Sequence, residues 1–229
     1  MNATIHADKA RLSPIQIIAN VLEFVAETCP MNILHLDSSA LGTASASREL
    51  TRAIVEALTR HHPSARVTHV DLDADPLPHL TARSLAKADP AEAARAERAL
   101  EEFLAADVLV IGAPMYNFAI PSTLKAWIDR VTVAGRTFRY TANGPEGLAG
   151  GKRAILAISQ GGLHAPGGPS DFQQRYLEYL LGFLGITDVH AVRAGGLALS
   201  AEHRERAMTE ALAEARRVAA LPFPLDRAA

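Results

Sequence analysis

The sequence has few of the features that mark several large protein classes. It contains one cysteine, Cys29, which rules out an internal disulfide and a Cys-rich zinc site; a reducing cytoplasm suits such a chain. A formal net charge of −2 over 229 residues supplies no basic face for nucleic acid or an anionic membrane. Long apolar runs are missing too. The stretch from Ile15 to Ala26 is broken by Gln16, Asn20 and Glu23, too short and polar to span a bilayer and without the clean core of a signal peptide. Its helical spacing (Ile15, Ile18, Leu22, Val25) suits one extra helix, and Met31-Asn32-Ile33-Leu34 reads as the start of the domain. Residues 1–30 are then an N-terminal extension, either an added helix or a start-site choice, and residues 31–229 one domain.

Several nucleotide and metal signatures are also missing. G-x-G-x-x-G does not occur. The P-loop fails at both ends: Gly151-Lys152 is followed by Arg153, and Glu146 stands where its first glycine is required. There is no His-Glu-x-x-His. The nine histidines are scattered, His61-His62 reads as a solvated helix end, and no metal centre is expected.

What is present is alternation. Apolar runs at Ile33–Leu36, Val108–Gly112, Ala154–Ser159 and Val189–Val192, with the β-rich Arg66–Leu72, read as five strands. Between and after them, residues 45–60, 90–105, 122–133, 171–184 and 201–221 carry helical periodicity, and Pro90 suits a first turn. The Gly/Pro/Asn-rich segment from Phe138 to Gly151 reads as irregular. Strands alternating with helices predict an α/β, doubly wound parallel sheet covered on both faces, with ligands at the carboxyl ends of its strands.

Three loops fall at those ends. The first, Asp37 to Ser47, is small and hydroxyl-rich and leads into a helix whose N-terminus offers unpaired N–H groups. That is a phosphate cradle, or else a Ser cap on a polar loop. With one glycine and no lysine it suits a terminal monophosphate better than a pyrophosphate. The second, Ala113 to Ser122, sets Met115, Tyr116, Asn117 and Phe118 where a flat ring could lie. The third, Ser159-Gln160-Gly161-Gly162, lets a ligand approach the backbone closely.

Together these residues resemble a known family. Gly112 to Phe118 is similar to the flavin-contacting segment of FMN-dependent NADH-azoreductases, also called NADH:quinone oxidoreductases. Thr137 to Leu148, Ser159 to Gly162 and Gly182-Phe183-Leu184-Gly185-Ile186 resemble further signatures of that family, and the likeness runs from about Met31 to Leu221. The resemblance implies a flavodoxin-like sheet of order 2-1-3-4-5 and a cytoplasmic homodimer with active sites near the subunit interface. It implies FMN as cofactor, NADH or NADPH as donor, and ping-pong hydride transfer to quinones or azo compounds. Ser39, Ser45, Ala46 and Ser47 would bind the phosphate and ribityl chain; Met115, Tyr116, Asn117, Phe118, Ser159, Gln160, Gly161 and Gly162 would contact the ring. Phe138, Tyr140, Phe183 and His164 are candidate acceptor-pocket residues, and no side chain need be catalytic, since the flavin carries the chemistry. Gln160 stands where many members carry Arg. Two rivals are weaker. An electron-carrier flavodoxin would be shorter and strongly acidic. A serine hydrolase would need a glycine where Ala157 stands and a helix directly after Ser159.

Overall fold

The computed structural model describes Ser13 and residues 30–223. Apart from Ser13 and Pro30, the N-terminal extension lies outside the described residues. The central strands are β1 (Asn32–Asp37), β2 (Arg66–Asp71), β3 (Val108–Pro114), β6 (Arg153–Ser159) and β7 (Asp188–Ala194), all parallel, in the order β2-β1-β3-β6-β7. Counted along the chain, that is the expected 2-1-3-4-5. Every residue of β3 and β6 is buried, which is why these strands read as unbroken apolar runs.

Helices cover both faces. α1 (Ala46–His61) and α6 (Ala201–Ala219) pack on one, against Ile33, Val108, Val110, Ile155 and Val192. α3 (Pro90–Ala105), α4 (Ser122–Val131) and α5 (Phe172–Phe183) pack on the other, against Leu34, Leu36, Leu109, Ile111 and Leu156. Successive strand residues thus feed opposite cores, as the two-residue period requires. Capping fixes where the helices begin. Ser45 Oγ accepts from Arg48 N–H, Asp89 from Ala91 and Glu92 with Pro90 in the first turn, and Ser200 from His203.

Two elements escape the sequence reading. A short helix, α2 (Ala82–Leu85), is closed by a Thr81/Ser84 capping box. The segment read as irregular holds an antiparallel hairpin, β4 (Phe138–Thr141) with β5 (Gly144–Gly147). β4, Phe-Arg-Tyr-Thr, alternates over only four residues, and β5, Gly-Pro-Glu-Gly, carries no strand signal. Tertiary packing holds them: a Cβ on Gly147 would lie 2.1 Å from the Gly185 nitrogen, so this approach exists only because both positions are glycine.

Candidate functional site

The carboxyl ends of β1, β3, β6 and β7 meet at a cleft of about 260 Å³. The loop after β1 contributes Ser39, Leu41, Ala44, Ser45 and Ala46; β3 and its loop contribute Pro114, Met115 and Tyr116; Ser159, Gln160 and Gly161 follow from β6. Eight of the residues expected at a cofactor site therefore line one cleft.

The hydroxyls of the first loop are organised rather than free. Ser39, Ser45 and Ser47 are buried. Ser45 and Ser47 hydroxyls lie 3.0 Å apart, so Ser47, which does not line the cleft, positions Ser45. Ser38 Oγ donates to the Gly112 carbonyl at 2.6 Å and ties β1 to β3. Tyr116 reaches over from the second loop: its hydroxyl lies 3.1 Å from Ser39 Oγ and accepts from Ala40 N–H at 3.1 Å. Arg48 braces the loop from below, donating to the Ser39 carbonyl at 2.9 Å and pairing with both oxygens of Asp71. The Arg48 guanidinium lowers the Asp71 carboxyl to about 2, against an opposing push from burial. At Asp37, burial raises the carboxyl, but contacts from His35, Thr51 and His69 outweigh it and hold it below the usual range.

The second loop turns tightly. Tyr116 and Ala119 exchange backbone hydrogen bonds of 3.0 and 3.1 Å around Asn117 and Phe118, whose φ angles are 49° and 68°. Positive φ at both central residues is type I′ geometry. Asparagine tolerates it; phenylalanine does so at a cost, which a functional position can retain. Phe118 is 54% exposed and meets His164 edge-on at 5.8 Å. Asn117, Phe118, Gly162 and His164 do not line the cleft. His164 Nδ1 is 2.8 Å from Ser170 Oγ.

Gln160 departs from a simple ring contact. It is 2% exposed, its amide donates to Gln173 Oε1 at 3.1 Å and accepts from Arg193, and Gln173 donates on to the Ala113 carbonyl. Its main chain is engaged too, the N–H donating to the Ala194 carbonyl at 2.9 Å and the carbonyl accepting from Leu197 N–H at 3.0 Å, so Gln160 shapes the cleft wall. Phe138, Tyr140 and Phe183 form a separate aromatic group, with ring centroids 4.8 Å apart for Phe138–Phe183 and 5.5 Å for Phe138–Tyr140; none lines the cleft. Sequence reasoning missed Leu197, Ala198 and Arg204, which close the cleft from the β7 side. Gly195-Gly196 after the fifth strand was the available signal, since the loop after every strand in this topology ends at the same edge.

The cleft suits FMN by its donor chemistry. Buried hydroxyls and a helix N-terminus without lysine fit a monophosphate, and a methionine and a tyrosine opposite a Gly-containing turn fit a planar ring.

Comparisons with known proteins agree. Residues 31–219 match a family model described as flavodoxin-like fold. The FMN-dependent NADH:quinone oxidoreductase 1 of Xanthomonas axonopodis pv. citri (strain 306) is 64% identical over 183 residues, 80% of this chain and 94% of that protein. The FMN-dependent NADH:quinone oxidoreductase of Pseudomonas savastanoi pv. phaseolicola (strain 1448A / Race 6) is 53% identical over 191 residues, 79% of this chain and 95% of that one. Among solved structures, azoreductase from Bacillus anthracis str. Sterne superposes with a TM-score of 0.75 at 29% identity, covering 82% of this chain and 98% of that one. An FMN-dependent NADH-azoreductase from Bacillus anthracis str. Ames Ancestor, in complex with FMN, gives 0.73 at 26% identity, covering 83% and 100%.

Proposed function

We propose that this chain, which belongs to the flavodoxin-like family of FMN-dependent NADH:quinone oxidoreductases and azoreductases, binds FMN in the cleft at the carboxyl ends of its strands and reduces quinones there with NADH. The observation that carries this is the convergence of the Ser39–Ala46 loop, Met115–Tyr116 and Ser159–Gly161 on one cleft.

Bound FMN supplies two-electron redox chemistry between a nicotinamide and a quinone or azo acceptor. The chain holds and orients. Ser39 and Ser45 hydroxyls, with the first N–H groups of α1, take the phosphate; the positive end of the α1 dipole favours its charge. Tyr116 and Arg48 keep that loop in place beforehand, so less ordering is needed on binding. Met115, Tyr116 and the Ser159–Gly161 segment, which line the cleft, would flank the ring, and donor and acceptor would use the site in turn. His164 Nδ1 is engaged by Ser170 Oγ and the side chain does not line the cleft; water can supply the protons of the reduced products.

The functional unit in this reading is a cytoplasmic homodimer. Phe138, Tyr140 and Phe183 do not line their own cleft, so they can wall an acceptor pocket only if a second copy presents them. An apolar hollow of about 810 Å³ between the second loop and α5, lined by Ile120, Phe172, Tyr176 and the 79% exposed Tyr179, is a surface a second copy would cover.

The test is a steady-state screen of NADH and NADPH against several quinones and one azo dye, on protein of measured FMN content, with mass in solution by sedimentation. A yellow dimer that oxidises NADH with menadione is expected. A preparation that stays colourless after FMN addition and does not turn over menadione overturns the reading.

A further inference from the structure

Strands β1 and β2 carry the same tripeptide pattern, His35-Leu36-Asp37 and His69-Val70-Asp71. Parallel pairing brings the two into register, His35 opposite His69 and Asp37 opposite Asp71. The two-residue strand period then places all four side chains on one face, beneath the start of α1. Their ligand atoms converge. His69 Nε2 is 3.0 Å and His35 Nε2 3.4 Å from the same oxygen, Asp37 Oδ2, and the three ligand atoms lie within 4.8 Å of one another. Separations of about 3.3 Å are the edges of a tetrahedron with bonds of about 2.0–2.1 Å, the zinc–nitrogen and zinc–oxygen range.

Four further observations favour an occupant. His35 is 9% exposed, and the partner of its Nε2 is the Asp37 carboxylate at 3.4 Å, too long and poorly aligned for a well-formed hydrogen bond; an ion between the two would satisfy both. Asp37 Oδ1 accepts from Thr51 Oγ1 at 2.8 Å, which orients the carboxylate and leaves Oδ2 for the shared position. Local charge also allows a cation. Arg48 comes to 3.9 Å of Asp37 Oδ2 but is bound to both oxygens of Asp71, and around the hollow three carboxylates, Asp37, Glu49 and Asp71, face two guanidiniums, Arg48 and Arg52. On the open side a hollow of about 400 Å³ reaches from His35 and His69 past Thr43 to Ser45, with room for solvent ligands.

We propose that His35, Asp37 and His69 form a binding site for a divalent transition metal, zinc by choice of ligands, completed by solvent. The site is separate from the cofactor cleft; only Ser45 borders both hollows. It fastens β2, an edge strand paired only with β1, to the strand that leads directly into Ser38 and Ser39. A metal held there stabilises the fold by binding the native arrangement alone.

The test uses the full-length, FMN-loaded chain, stripped with a chelator and titrated with Zn²⁺ by calorimetry and with Co²⁺ for its visible bands. One equivalent of zinc should bind at micromolar or lower concentration and raise Tm by several degrees, and cobalt should give the intense absorption of a four-coordinate site. His69→Gln, at a half-exposed position, should weaken zinc at least tenfold and abolish the cobalt bands, while His61→Gln leaves both unchanged. His35→Gln should do the same as His69→Gln; if it fails to fold, His69→Gln alone decides. Absence of zinc binding, or binding that survives His69→Gln, overturns the proposal, the second outcome placing the ion at the flavin phosphate or elsewhere in the chain.

Discussion

The two ends of the central sheet are built on opposite principles. At the amino end of the strands, charged and polar groups are buried and spent on the fold. Arg153 on β6 donates to Asp188 at 2.7 Å and to the Leu221 and Pro222 carbonyls, and stacks on Phe223 at 4.3 Å. Lys152 donates to carbonyls at the end of α3, those of Leu104 and Ala106, and Asp107 accepts from Asn32 N–H. At the carboxyl end, small residues and hydroxyls line an open cleft, and two consecutive non-glycine residues sit at positive φ. The amino end spends its polar groups on the fold alone; the carboxyl end spends some, as Ser38 on Gly112 and Gln160 on Gln173, and also presents hydroxyls and a strained turn beside an open cleft.

That contrast can be tested from either side. The largest effect is expected at the amino end. Arg153→Met leaves two carbonyls without their donor and Asp188 with His190 alone, and should cost about 3 kcal/mol in chemical denaturation, with little change in FMN affinity measured on the folded fraction. An equal loss of FMN affinity in that fraction would show that the two ends are not independent. Ser45→Ala should show the reverse balance. Loss of the cap costs about 1 kcal/mol, while loss of a hydroxyl on the phosphate should raise the FMN Kd roughly tenfold or more by fluorescence titration. Phe118→Gly removes a large side chain yet relieves its backbone. Stability should stay level or rise by up to about 1 kcal/mol, while KM for the quinone rises; a clear loss of stability would mean that the second loop is part of the fold's support. The smallest effect concerns pH. The Asp71 carboxyl sits near 2 when folded, below its unfolded value, so its pairing with Arg48 stabilises above about pH 4 and is lost as pH falls toward 2. Because the pair is partly solvated the contribution is modest. Arg48→Met should flatten the stability profile over that interval, and an unchanged slope would assign acid sensitivity to other carboxylates.

Legibility follows the same division. Strands β3 and β6 were plain because burial on both faces leaves an unbroken apolar run, and Pro90 marked the start of α3 within the chain's own grammar. The hairpin of residues 138–147 was not, since its cause is the Gly147–Gly185 contact between segments distant in sequence. The site divides likewise. The hydroxyl loop and the Met115–Phe118 turn announced themselves by composition. That Gln160 would commit its amide to Gln173 and Arg193, that Leu197 and Arg204 would close the cleft, and that Phe138 and Phe183 would stack away from it depended on where other elements came to rest.

Local sequence thus determined the alternation of elements, the sheet class, the hydroxyl-rich composition of the first loop and, through long specific motifs, the family. Tertiary structure alone decided which of those residues share a cleft and which two His-x-Asp strands lie side by side. Periodicity and capping act over a few residues and can be read along the chain; strand register and loop convergence are set by packing between segments tens of residues apart.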